Sequence, residues 1–122
     1  MRTIVLIDDE FGLADVVSAV LSDAGFRVCT AVNGAQGLDV MAEHPPDLVL
    51  LDYMMPILDG PGVLRAMRAD PKLATVPVVL MSAMPEAVVR RRTTDYVVFI
   101  RKPFDFDALL NAVAAAFGDG KK

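Results

Sequence analysis

The sequence predicts an α/β protein, a five-stranded parallel sheet covered by helices on both faces. Three observations carry this. Short apolar runs rich in Val, Ile and Leu recur along the chain, bounded by polar residues and too short to be buried helices. Stretches with helical spacing of apolar residues separate them, and such alternation means parallel strands joined by right-handed crossovers. The composition, 54% hydrophobic against 23% charged, suits a sheet buried on both faces and excludes a disordered chain.

The first strand, Thr3–Ile7, runs into Asp8-Asp9-Glu10. Leu13, Val16, Val17, Val20, Leu21 and Ala24 then form the apolar stripe of a helix, with Gly25 as its C-terminal stop. The second strand is Arg27–Ala31. Asn33 caps a second helix through Met41, with Leu38 and Met41 inward, and Pro45-Pro46 prevent its continuation. Asp47–Leu51, the third strand, ends in Asp52, and Pro61 to Ala69 forms a third helix closed by Asp70-Pro71. The fourth strand, Val76–Met81, ends in Ser82. Pro85 is placed as the first-turn proline of a fourth helix running to about Thr93. Tyr96–Arg101, the last strand, ends in Lys102-Pro103. A fifth helix starts near Phe104-Asp105, turns Leu109, Leu110, Val113 and Phe117 to the core, and is ended by Gly118 and Gly120.

A chain of 122 residues is expected to form one domain that buries roughly two-thirds of its unfolded surface. No linker, repeat or output domain is expected. The net charge of -4 argues against direct nucleic-acid binding, which draws most of its affinity from cationic side chains on phosphates. No apolar stretch approaches the length of a bilayer span, and no signal peptide precedes the first strand, so no membrane role is expected. The single cysteine, Cys29, excludes a disulfide framework and reads as a small core residue, which fits a cytoplasmic setting.

Ligand sites in open α/β sheets lie outside the carboxyl ends of the strands. Here those ends carry Asp8, Asp9 and Asp52, the Ser82 hydroxyl and Lys102. Neighbouring carboxylates repel unless a cation neutralises them, and magnesium takes one or two carboxylates while leaving room for phosphate oxygens. Asp8 and Asp9 have a second reading, as caps and favourable charges at a helix start. Asp52 caps no helix and follows Leu48-Val49-Leu50-Leu51, which points to a cation beside a carboxylate able to take a phosphoryl group. Lys102 precedes Pro103, where a cis peptide is far cheaper than elsewhere, and a fixed turn there would aim its ammonium across the strand ends toward Asp52.

The Asp8-Asp9 pair, Leu51-Asp52-Tyr53-Met54-Met55-Pro56 with Asp59-Gly60, Ser82-Ala83 and Lys102-Pro103-Phe104 together resemble a response-regulator receiver domain of two-component signalling, over essentially the whole chain. The resemblance implies the doubly wound, flavodoxin-like strand order 2-1-3-4-5, a case the general rule for such sheets already names. It implies Asp52 as phosphoacceptor, Asp9 as a direct magnesium ligand, Asp8 as a ligand mainly through water, and the Met54 backbone carbonyl completing the metal site. Ser82 would bind a phosphoryl oxygen and Lys102 would salt-bridge to it. The donor would be a histidine kinase or histidine phosphotransfer protein. Ser82 and the aromatic Phe99 would then switch the surface of the fourth helix, last strand and fifth helix toward a downstream protein. Phe99 lacks a hydroxyl, so its part would be packing alone.

The chain also departs from the family pattern. Met54 and Met84 stand where relatives often carry polar side chains, which would slow water attack on the acyl phosphate. The stretch from Ser82 to Lys102 is short, with Thr93-Thr94-Asp95 before the last strand, so the fourth helix is expected to be short or displaced. Arg90-Arg91-Arg92 reads as a solvated face, and His44 as an exposed loop residue. An aspartyl phosphatase of the haloacid-dehalogenase type needs a second acid where Met54 stands. The alternative kept beside the receiver reading is a phosphorylation-independent interaction module of the same fold.

Overall fold

The structure is a computed structural model, and it describes residues 1–119. Its elements are β1 (Thr3–Ile7), α1 (Phe11–Asp23), β2 (Arg27–Ala31), α2 (Gly34–Glu43), β3 (Leu48–Asp52), α3 (Gly60–Ala69), β4 (Val78–Ser82), α4 (Glu86–Val89), β5 (Val98–Arg101) and α5 (Phe106–Phe117). The five strands form one parallel sheet in the order β2-β1-β3-β4-β5.

Side chains alternate across the strands, so the sheet divides the core in two. Val5, Ile7, Val49, Leu51, Val78 and Leu80 pack with Met41 of α2, Val63, Leu64 and Met67 of α3, and Val89 of α4. Ile4, Leu6, Leu48, Leu50, Val79 and Met81 pack on the opposite face with Val17 and Leu21 of α1 and Leu109 and Val113 of α5. Every position of β3 and β4 is buried, which is why these strands read as continuous apolar runs. Ile7 is level with Leu51, Asp52 with Met81, and Ser82 with Arg101. The polar residues that end these strands therefore stand in one row.

Local chemistry sets the helix ends. Asn33, Asp59 and Asp105 accept from the backbone N–H groups of Gln36, Gly62 and Ala108 and start α2, α3 and α5. Gly25, at φ +100°, follows α1, and Gly118, at φ +74°, ends α5 in the left-handed region. Gly120 lies outside the described residues.

The strand starts differ from the periodicity for identifiable reasons. β4 begins at Val78, because Pro77 has no N–H for the ladder. Tyr96 and Val97 precede β5, where the carbonyl of Asp95 is taken by the Arg68 guanidinium at 2.8 Å. The fourth helix does not reach Thr93. Pro85 is its N-cap, α4 is a single turn, and Arg90–Arg92 form a turn beyond it. Among the described residues no helix is long and apolar enough to cross a membrane.

Candidate functional site

Three polar residues are buried among the apolar strands, and all three stand at strand ends: Asp8 (1% exposed), Asp52 (6%) and Ser82 (1%). The Lys102 ammonium meets the two carboxylates. Its Nζ donates to Asp8 Oδ2 at 2.9 Å and to Glu10 Oε1 at 2.8 Å, and lies 3.4 Å from Asp52 Oδ1. The expected pairing with Asp52 is therefore present but is the longest of the three. The Lys102–Pro103 peptide is cis.

One carboxylate oxygen from each of Asp8, Glu10 and Asp52 falls within 4.8 Å of the others. Asp9 is exposed and stands outside this group. Neither Asp8 nor Asp9 caps α1. The cap position belongs to Glu10, whose side chain makes no capping bond, while Asp8 Oδ1 accepts from the Glu10 N–H at 2.9 Å. Asp8 thus serves the strand-end cluster rather than the helix.

Burial pushes the Asp52 carboxyl up to about 7, repulsion from Asp8 adds to this, and the attraction of the Lys102 ammonium holds it back. Burial alone would lower the Lys102 ammonium. Its hydrogen bonds to Glu10 and Asp8 and the charges of Asp52 and Asp8 overcome that, so it is raised and stays charged. The result is a dense negative cluster held by one cation. Its donors are all hard oxygens, the set that suits magnesium. Asp9 and the Met54 carbonyl on the adjoining loops are of the same kind.

The Ser82 hydroxyl accepts from the Met84 N–H at 2.8 Å, which leaves its proton for another acceptor. Met54 and Met84 are 63% and 38% exposed, at the rim. Phe99 is half-buried on the core face shared by α2, α3 and α4, its ring 6.0 Å from that of Tyr96. Tyr53 packs into the same core face and is 4% exposed. His44 is exposed at the end of α2.

Three participants were not assigned a role from the sequence. Glu10 merely follows the acidic pair in the sequence, yet it makes the shortest contact to Lys102. Arg92, the last of an arginine run, turns back to pair with Asp59 at 3.0 Å and lies over the Tyr53 ring at 5.8 Å. Tyr96 donates its hydroxyl to Glu86 at 2.7 Å. No sequence spacing announces the last two contacts, because both depend on where the shortened α4 segment comes to rest.

The profile of the response regulator receiver domain matches residues 4–114. Sporulation initiation phosphotransferase F of Bacillus subtilis (strain 168) is 31% identical over 112 residues, covering 90% of this chain and 89% of that protein. The DNA-binding dual master transcriptional regulator RpaA of Synechocystis sp. is 34% identical over 117 residues, covering 94% of this chain; the chain spans 48% of that relative's length. Response regulator TrrA of Thermotoga maritima, solved in complex with Mg(2+)-BeF, superposes with a TM-score of 0.85 at 27% identity, covering 95% of this chain and 99% of that one. Strand order, strand-end site and sequence similarity over nearly all of its length agree, and the chain belongs to the response regulator receiver domain family.

Proposed function

We propose that this chain is a phosphoacceptor receiver. It takes a phosphoryl group onto Asp52 from a phosphohistidine of a histidine kinase or histidine phosphotransfer protein. The observation that carries the reading is the ammonium of Lys102 set against the buried carboxylates of Asp8 and Asp52 at one row of strand ends.

An Asp52 carboxylate oxygen attacks phosphorus in line. The P–N bond breaks and its electron pair goes to the leaving histidine nitrogen, while the other ring nitrogen keeps its proton, so the imidazole departs neutral. Such a transition state needs position and charge neutralisation more than covalent help. Lys102 and the Ser82 hydroxyl donate to phosphoryl oxygens where charge develops. Asp9, Asp52 and the Met54 carbonyl, with Asp8 mainly through water, would hold magnesium, which would supply positive charge to offset the carboxylates and the incoming phosphate. Water attack on the acyl phosphate returns Asp52 to its free form.

Phosphorylation puts a phosphoryl group of roughly -1.5 to -2 charge where one carboxylate charge stood, a net gain of about one negative charge at the strand end. Ser82 moves toward it and Phe99 repacks inward, shifting the surface of α4, β5 and α5 between two existing states and toward a downstream protein. A cytoplasmic location fits such a partner set.

Intact mass after incubation with acetyl phosphate and magnesium tests the reading. One added phosphoryl group, lost with Asp52→Ala and without metal, is expected. No addition under any condition, together with no binding of beryllofluoride, would leave the phosphorylation-independent module in its place.

A further inference from the structure

Glu10 takes no part in the steps above, yet its contact to the active-site ammonium is the closest of three. Lys102 Nζ lies 2.8 Å from Glu10, 2.9 Å from Asp8 and 3.4 Å from Asp52, the last beyond ordinary hydrogen-bond length. An ammonium has three donors, and here the two well-formed bonds both go to carboxylates other than the phosphoacceptor. Glu10 occupies the cap position of α1, where a side chain ordinarily serves the first-turn N–H groups. Its carboxylate makes no such bond and goes to Lys102 instead.

The two well-formed contacts differ in surroundings. Asp8 is 1% exposed and is fixed by the Glu10 N–H, so its hold on Lys102 is built into the strand end. The Glu10 side chain is 61% exposed, and an ion pair that open to water is screened and contributes little. It is the contact most readily exchanged.

We propose that Glu10 is a positioning residue that tethers Lys102 away from Asp52 and yields it to the phosphoryl group. This rests on the phosphoacceptor reading and deepens it. The exchange sets a cost on the phosphorylated state, because Lys102 turns toward the phosphoryl group at the expense of its bond to Glu10. The tether thereby sets how firmly the active form is held once formed.

Two variants separate the contact from the charge. Glu10→Gln keeps the reach and removes the charge; Glu10→Asp keeps the charge and is one methylene too short to reach. Both should loosen Lys102. At saturating magnesium both should bind beryllofluoride tighter than wild type by about two- to fivefold, the range an exposed ion pair supports. The direct readout is the side-chain ammonium resonance of Lys102 in the free protein, assigned with Lys102→Arg. Its protons should exchange with water faster in both variants.

An unchanged lysine resonance in both variants, with beryllofluoride binding intact, would overturn the tether while sparing the phosphoacceptor reading. So would tighter binding in Glu10→Gln alone, which is simple repulsion of the anion by Glu10. Magnesium affinity that falls in both variants, with weaker beryllofluoride binding, would make Glu10 a metal ligand instead. Failure of wild type to bind beryllofluoride with magnesium at all would overturn both readings together.

Discussion

Ile57 holds a left-handed backbone, φ +72°, in the loop between β3 and α3. A β-branched residue there crowds its own carbonyl. The Leu58 N–H donates to the Pro56 carbonyl at 2.8 Å, closing a three-residue turn centred on Ile57, a strained turn form at positive φ. Burial offers no compensation, since the side chain is 80% exposed. The neighbours impose the conformation. The Leu58 carbonyl accepts from Gly34 of α2, and the Gly60 N–H returns to the Tyr53 carbonyl. A Cβ on Gly34 would lie 2.3 Å from the Leu58 oxygen, so α2 and this loop meet backbone to backbone. Ile57→Gly should therefore stabilise the protein by about 1 kcal/mol, read from the midpoint of urea unfolding at unchanged slope. A destabilised variant would mean that the loop relaxes around Ile57 without strain. At this scale Asp52, Ser82 and Lys102 were legible, because each ends an apolar run. The conformation of Ile57 was not, because contacts from α2 and α3 enforce it.

Among the elements, α4 tests how far local patterning reaches. Pro85 indicated a helix, and the shortness of the segment from Ser82 to Lys102 indicated a truncated one. Its end point depended on side chains that no periodicity reveals. Val89 is fully buried, while Arg92 is drawn to Asp59 and Tyr96 to Glu86. These two polar contacts fasten a single helical turn that could not persist alone. The Tyr96 hydroxyl is raised from its ordinary 10 to about 12, first by burial and then by its bond to Glu86 and that residue's charge, with Arg90 opposing. A raised folded-state value means the protonated form favours folding. Its contribution is complete below pH 10 and is lost as pH rises toward about 12. Tyr96→Phe should cost about 1 kcal/mol at neutral pH. It should also remove the part of the alkaline stability loss that belongs to this hydroxyl. Denaturant unfolding of both proteins across that range measures the difference, and parallel losses would show that the bond to Glu86 contributes nothing.

In the whole molecule, a sheet apolar on both faces concentrates its buried charge at one edge, the carboxyl ends of its strands. The architecture was legible because β3 and β4 are apolar up to the polar residue that ends each, and because each helix carries a stripe, a cap or a stop. The internal balance of the charged edge was not, since it depends on which carboxylates a single ammonium reaches. Asp8, Glu10 and Asp52 confront Lys102, so the cluster carries more negative than positive charge. Excess buried charge of one sign opposes folding, and several kcal/mol can be at stake for each ion removed from water. Removing one carboxylate should then relieve the fold. In a chelator-containing buffer Asp52→Asn should raise stability by about 2 kcal/mol, which for a domain of this size is several degrees in melting temperature. A divalent cation that binds only the folded cluster should relieve wild type in another way, by about 2.7 kcal/mol at a hundredfold excess over its dissociation constant. Magnesium should accordingly raise the melting temperature of wild type, and chelation should reverse it. The same addition should do less for Asp52→Asn, which has lost both a donor and part of the repulsion. Thermal unfolding of the two proteins with magnesium and with chelator forms a four-way comparison. A wild-type melting temperature indifferent to magnesium would mean that Lys102 alone balances the cluster. Equal shifts in both proteins would place the cation elsewhere on the surface. Only a larger shift in wild type ties the metal to Asp52, and with it the chemistry of the strand ends to the stability of the whole fold.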